Sequence, residues 1–169
     1  TNAITVDEGG SRLGLFNDLG DLRLDLAALL RRGNVLNNSS VLYRTAHGTD
    51  WREGERIDYQ IHLWLARQGW LGHIGEPLVA YRVNAEGSLV LSANERIRTL
   101  YWQAIQSVPR ALVRDADYAK GIADFLRRVC FRAVRSRDWP LLRRWVATVY
   151  AASPYGSMRT SLLVVENIA

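Results

Sequence analysis

The sequence contains a single cysteine, Cys130, in 169 residues. One thiol excludes an intramolecular disulfide and any zinc site built mainly from cysteines, and it suits a reducing compartment. We therefore expect a cytoplasmic protein in which Cys130 packs inside a helix. No apolar run approaches the roughly 20 residues that a membrane-spanning helix requires, so no such span is expected.

An initiator methionine is also missing, since residue 1 is Thr, and the first residues show no targeting pattern. The expectation is a soluble part of a longer chain. Lysine is nearly absent, because Lys120 is the only one among 22 basic residues, and the net charge is +5. A preference for arginine is typical of GC-rich genomes as well as of phosphate contacts, so basicity alone does not identify a partner.

The first half of the chain combines helical and strand periodicity, which predicts an α/β fold for residues 1–91. Four glycines with little periodicity predict a loop or a frayed extended segment over 1–20. The elements predicted after it are a helix over 21–32, an interrupted strand over 34–44, a loop over 45–56, a buried helix over 57–68 and two short strands over 70–83.

The second half carries helical periodicity only, which predicts an all-helical region over residues 92–169. Ser92 and Glu95 match a capping box at its start. The predicted helices cover about 92–108, 115–136 and 138–152, with a last short helix or strand over 158–168. The fold class is therefore α/β with a helical C-terminal extension.

One acid stands alone ahead of an apolar helix in "IDYQIHLWLARQGWLGHIGEPLVAYRVNAEGS", and it is Asp58. An Asp at a helix N-terminus often only caps or charge-complements the first turn. The same position favours the ionised form, which accepts protons in general-base catalysis. The residue pattern leaves both interpretations open.

Two segments, "RRGNVLNNSSVLYR" and "IDYQIHLWLARQGWLGHIGEPLVAYRVNAEGSL", together resemble the acceptor-side half of a family 2 glycosyltransferase of the GT-A fold. The resemblance covers about residues 25–90. It consists of a small-polar pair in a strand, an acid that opens a helix, and a strand ending in "EPLVAYR" before a polar loop. Because these elements come in the family's order and spacing, the resemblance is more specific than any one of them.

The resemblance implies a partial GT-A-like mixed sheet with helices, in which Asp58 is the general base of an inverting sugar transfer. Each of the other candidates has a structural alternative, namely a turn, core packing or an ion pair of Arg82 with Glu76. Trp70 could line a sugar platform or pack in the core. The candidate acceptor-binding residues are Asn37, Asn38, Ser39, Tyr59, Trp64, Tyr81 and Arg82.

The chain departs from the family at Ile57, where an acid usually precedes the base, and at Asn84, where a histidine is common. The family's nucleotide-binding half, with its Asp-x-Asp metal motif, is expected upstream of residue 1. The resemblance therefore implies no metal or cofactor in this chain, and Mn²⁺ or Mg²⁺ in that upstream half. "DAD" at 115–117 is interpreted as a helix cap and not as the metal motif.

The intact enzyme is expected to use a nucleotide-sugar donor and a carbohydrate or lipid-linked acceptor, in bacterial surface polysaccharide or glycoconjugate synthesis. The chain alone is expected to be inactive. A different class of function is a basic helical module that binds a protein partner, nucleic acid or the acidic lipid of the inner membrane face. Nucleic acid is disfavoured because no reader motif is present. The arginines that would serve such a module are Arg127, Arg128, Arg132, Arg135, Arg137, Arg143 and Arg144.

Overall fold

The computed structural model describes residues 1–44, 56–83, 94–151, 162, 165 and 166. The chain divides into two compact units: unit 1 is Thr1–Leu29 with Asn34–Val108, and unit 2 is Leu30–Gly33 with Pro109–Ala169. The elements are β1 (Asn2–Val6), β2 (Arg12–Leu15), β3 (Leu22–Leu24), α1 (Leu26–Arg32), α2 (Asp58–Ala66), β4 (Leu71–His73), β5 (Pro77–Arg82), α3 (Asn94–Gln106), α4 (Asp115–Ser136) and α5 (Trp139–Ala151). The coarse prediction of a mixed α/β fold is confirmed.

Unit 1 contains a three-stranded mixed sheet in the order β2-β1-β5. β1 runs antiparallel to β2 and parallel to β5, with Ile4 opposite Leu15 and Ala3 opposite Val79. A loop over the whole of 1–20 is therefore wrong, whereas the alternative of an extended segment holds for Asn2–Val6 and Arg12–Leu15, which are paired in the sheet. Pairing with the distant β5 makes the short apolar run of β1 a strand, and the local glycines did not reveal this partner.

A buried asparagine fastens β1 to the segment that follows β2. Asn2 is 1% exposed, its Nδ2 donates to the carbonyl of Asn17 at 2.9 Å, and its Oδ1 accepts from the Ala3 backbone N–H at 2.8 Å. Asn17 in turn donates from Nδ2 to the carbonyl of Val35 at 2.9 Å. Because these buried amides are paired, they fix the chain path at little cost in desolvation.

The helix predicted over 21–32 is shorter than expected because its first residues form β3, which pairs antiparallel with β4. The helix then begins at Leu26, behind Asp25, whose Oδ1 accepts from the Ala28 backbone N–H at 2.6 Å. Gly33 follows its last residue with a φ of 73°. That left-handed conformation suits glycine and ends the helix as predicted.

The strand predicted over 34–44 is wrong, because these residues contain a 3-10 turn at Asn38–Ser40 and no strand. The polar centre of the segment makes its own hydrogen bonds: Asn37 Oδ1 accepts from the Ser39 backbone N–H at 3.1 Å. Such a local bond competes with a sheet ladder.

The predicted loop over 45–56 falls, except for residue 56, outside the described residues, as do Ser92 and most of 158–168.

The other predicted elements are confirmed with shifted ends, and they are the helices α2, α3, α4 and α5 and the strands β4 and β5. α3 belongs to unit 1 and packs against α2. The division of the chain at 91/92 into an acceptor-side portion and a helical region stays a prediction. Within the described residues no helix is long and apolar enough to cross a membrane.

Unit 2 is held together by the apolar face of α4. Phe125 and Trp145 of α5 meet edge to face with their ring centroids 5.1 Å apart. Gly121 allows a close approach of Leu30, since a Cβ at Gly121 would lie 2.9 Å from the Leu30 side chain. Cys130 is exposed on α4, so the prediction that it packs inside is wrong.

Candidate functional site

Asp58 is the first residue of α2 and not its N-cap. The N-cap is Ile57, which makes no side-chain capping bond. The Asp58 carboxylate is half-buried, and among the described residues it has no ion-pair partner. Burial raises its pKa, and a hydrogen bond to its own backbone N–H opposes this in part. A carboxylate with little solvent and no described counter-ion holds a proton more tightly than one in water.

The neighbouring Tyr59 lies in the core at 1% exposure. Its ring stacks on Tyr101 of α3, and its hydroxyl makes a long hydrogen bond of 3.5 Å to the carbonyl of Leu29. The ring therefore holds the N-terminal turn of α2 in place beside Asp58. The structure shows the Tyr59 ring packed in the core against Tyr101. A contact of Tyr59 with substrate stays a prediction.

Asn37 combines a buried side chain with an unsatisfied donor. It is 3% exposed, and its Nδ2 has no hydrogen-bond partner among the residues that the structure describes. The side chain lines a cavity of about 120 Å³ that also touches Trp70 and Leu71. Asn38 and Ser39, by contrast, are exposed on the 3-10 turn. Asn37 therefore combines a buried, unsatisfied amide N–H with a place in the wall of this cavity.

A larger cavity of about 360 Å³ adjoins the first, because both are lined by Leu42, Trp70 and Leu71. Leu65 of α2 contributes to its wall. Trp70, 66% exposed, is the large aromatic side chain shared by the two spaces. The structure therefore brings Asn37 together with Trp70. Seven of the eight predicted site residues are not among the described residues that line either cavity: Asn38, Ser39, Asp58, Tyr59, Trp64, Tyr81 and Arg82.

Tyr81 and Arg82 end β5 where it runs parallel to β1, opposite Thr5 and Val6. The Tyr81 ring meets Phe16 edge to face at 5.5 Å, so it is partly engaged in packing. Arg82 is exposed, and the predicted ion pair with Glu76 is absent from the described part of the chain. The Arg82 guanidinium is accessible to solvent.

Trp64, another predicted site residue, is half-buried on α2.

The sequence pattern missed His62, a fully buried residue in the middle of α2. Its Nδ1 lies 3.1 Å from Oδ1 of Asn34, and because an amide oxygen only accepts, Nδ1 carries the proton. Burial lowers the His62 pKa to about 4, so the ring is neutral near pH 7. Its Nε2 is buried and has no hydrogen-bond partner within the described part of the chain. The sequence feature that could have identified it is a histidine among the apolar residues of this helix.

Asp117 in unit 2 is held by two arginines and is not the N-cap of α4. The N-cap of α4 is Arg114, without a capping bond from its side chain. The buried Asp117 carboxylate instead accepts from Arg31 Nη1 at 2.6 Å and from Arg114 Nε at 2.8 Å. These partners, Arg114 first, hold the pKa of Asp117 below its usual range. Among the described residues no cluster of three or more His, Cys, Asp or Glu side chains is placed to bind a metal.

Comparison of the chain with models of protein families, with curated proteins and with solved structures gave no match. The geometry above and the motif pattern of the sequence are therefore the basis for a functional proposal.

Proposed function

We propose that the chain is the acceptor-side part of an inverting glycosyltransferase of the family 2, GT-A type, with Asp58 as the general base. The observation that carries the proposal is the setting of this carboxylate: half-buried, at the first residue of α2, with a raised pKa and no ion-pair partner in the described part. It lies in the same segment as the resemblance to that family.

The chemistry requires a carboxylate within hydrogen-bond reach of the acceptor hydroxyl as this attacks the anomeric carbon. Because its pKa is raised, Asp58 is a stronger base than a solvated aspartate. An arginine partner would lower the pKa and weaken the base, and none is present among the described residues. Tyr59 follows Asp58 and is buried, so its packing fixes the first turn of α2, and a catalytic side chain needs such a fixed position.

The acceptor, a carbohydrate or a lipid-linked glycan, would meet polar and aromatic side chains of unit 1. Exposed groups fit this role best, and they are Asn38, Ser39, Arg82 and the half-buried Tyr81. The nucleotide-sugar donor and Mn²⁺ or Mg²⁺ would be held by a nucleotide-binding half.

The test is a transfer assay on a protein that joins this chain to a nucleotide-binding half, with Asp58→Asn as the variant. We expect turnover to fall about 10²–10⁴-fold, because Asn keeps the shape and removes the proton acceptor. Asp115→Asn is the matched control, since Asp115 is also the first residue of a helix whose N-cap makes no side-chain capping bond. Near-normal turnover of Asp58→Asn would overturn the base role.

Donor binding separates this chain from the proposed nucleotide-binding half. By calorimetry, we expect the chain alone to bind none of the uridine, guanosine or thymidine diphosphosugars appreciably. Micromolar affinity for any of them would contradict the assignment of this chain to the acceptor side.

A further inference from the structure

Two large apolar side chains lie on the solvent side of α4. Phe131 is 69% exposed and Val134 is 53% exposed, and at a spacing of three residues they share one face of the helix. Val129 and Ala133 occupy the buried face of the same turns. An amphipathic helix that only covers a core carries polar residues where Phe131 stands, so this position needs another explanation.

The exposed apolar surface continues into the turn that follows α4. All seven residues from 134 to 140 are exposed, and they include Trp139, 58% exposed at the start of α5. Arg137 connects the two helices in the left-handed conformation, with a φ of 55°. The Asp138 backbone N–H closes the turn by donating to the carbonyl of Ala133 at 2.9 Å. The aromatic groups are therefore held on a defined turn.

Arginines surround these apolar groups. Between residues 127 and 144 the sequence has seven arginines and one acid, Asp138, and every one of the arginines is exposed. The acid accepts the Leu141 backbone N–H at 3.0 Å as it caps α5. A depression of about 490 Å³ is lined by Phe131, Arg132, Arg135 and Ser136, so two arginines and an aromatic residue contribute to one hollow.

We propose that this surface docks on a lipid bilayer that contains anionic phospholipid. This α4–α5 turn surface consists of Phe131, Arg132, Val134, Arg135, Arg137 and Trp139. Aromatic side chains enter the boundary between headgroups and acyl chains, while arginines pair with lipid phosphates. A nucleic acid would use the charge and leave Phe131 and Val134 without a role. The proposal does not depend on the glycosyltransferase assignment.

Vesicle flotation tests the proposal on the whole chain. Vesicles of phosphatidylcholine alone are compared with vesicles in which phosphatidylglycerol makes up about a third of the lipid, at low and high salt. We expect the chain to float only with the anionic vesicles, and less at high salt. The same result with both lipids, or no flotation at all, would overturn the proposal.

Paired variants separate charge from insertion. Arg132→Gln with Arg135→Gln should weaken binding about 25-fold, from about fivefold for each arginine near the surface. Phe131→Ser with Trp139→Ser should weaken it at least tenfold through lost apolar burial. Exposed residues of unit 1 supply the controls, Arg12→Gln with Arg23→Gln and Trp70→Ser, which should leave flotation unchanged. Melting temperatures show whether each variant is folded.

The single cysteine provides a direct probe of position. Cys130 is exposed and adjoins Phe131, so an environment-sensitive dye on its thiol reports on this end of α4. A blue shift and protection from a water-soluble quencher are expected with anionic vesicles. If a DNA duplex competes for the chain and both pairs of variants weaken DNA binding equally, the surface reads nucleic acid and the lipid proposal fails.

Discussion

The rings of Tyr59 and Tyr101 stack with their centroids 5.1 Å apart and their planes at 25°. This contact joins α2 to α3 directly beside the candidate base, Asp58. The ring of Tyr59 is enclosed at 1% exposure, so much of its energetic contribution comes from removing apolar area from water. The position of the first turn of α2 therefore depends on a residue far along the chain.

Removing either ring should destabilise unit 1. We expect Tyr59→Ala to lower the free energy of unfolding by about 3–5 kcal/mol through loss of a buried aromatic side chain. In a double-mutant cycle with Tyr101→Ala, the coupling should be about 0.5–1.5 kcal/mol. Urea unfolding measures both values. A coupling near zero would mean that the stack contributes nothing beyond separate burial.

Asp58→Asn should leave stability at pH 7 unchanged or slightly higher. Because burial raises the pKa of Asp58 in the folded state, its charge costs stability above pH 3.8, and Asn removes that cost. The difference between variant and parent should disappear as the pH falls and Asp58 takes up its proton. Thermal melts from pH 3 to 8 test this. If Asp58 only stabilised the first turn, Asn would cost about 0.3–1 kcal/mol.

His62 should make the protein sensitive to mild acid. Its folded pKa of about 4 lies below the usual 6.5, so the unfolded chain binds the proton more tightly between these values. The stability that neutral His62 contributes is complete above pH 6.5 and is lost as the pH falls toward 4, by about 3 kcal/mol in all. In urea unfolding, the free energy of unfolding of His62→Gln should depend less steeply on pH than that of the parent. An equally steep pH dependence in the variant would contradict the assignment of a lowered pKa to His62.

Asp117→Asn should destabilise unit 2 by about 1.5–3 kcal/mol, because the buried carboxylate accepts hydrogen bonds from Arg31 and Arg114 and a hydrogen bond to a charged group contributes about that much. Asp124→Asn is the control, since Asp124 pairs with Arg127 and Arg128, which are more than half exposed, and should cost less than about 1 kcal/mol. Because the Asp117 pKa is lowered, its contribution should persist down to pH 3.8 and fade below. Equal costs for both variants would contradict the prediction.

Local pattern in the sequence predicted the helices and the two strands β4 and β5. α4 and α5 repeat apolar residues at helical spacing, and Gly69 and Gly75 separate α2, β4 and β5. Such signals depend on neighbours within a few residues, so they are readable without the fold. The position of Asp58 at a helix start was predicted for the same reason.

Tertiary structure alone decided the rest. β1 is a strand because β5 pairs with it across more than seventy residues, and β3 shortens α1 because β4 reaches back to it. The exposure of Cys130 and the pairing of Asp117 with Arg31 depend in the same way on which face each element buries. Periodicity identifies an apolar face but not its partner. Burial, and with it the raised pKa of Asp58, is therefore set by contacts distant in the chain.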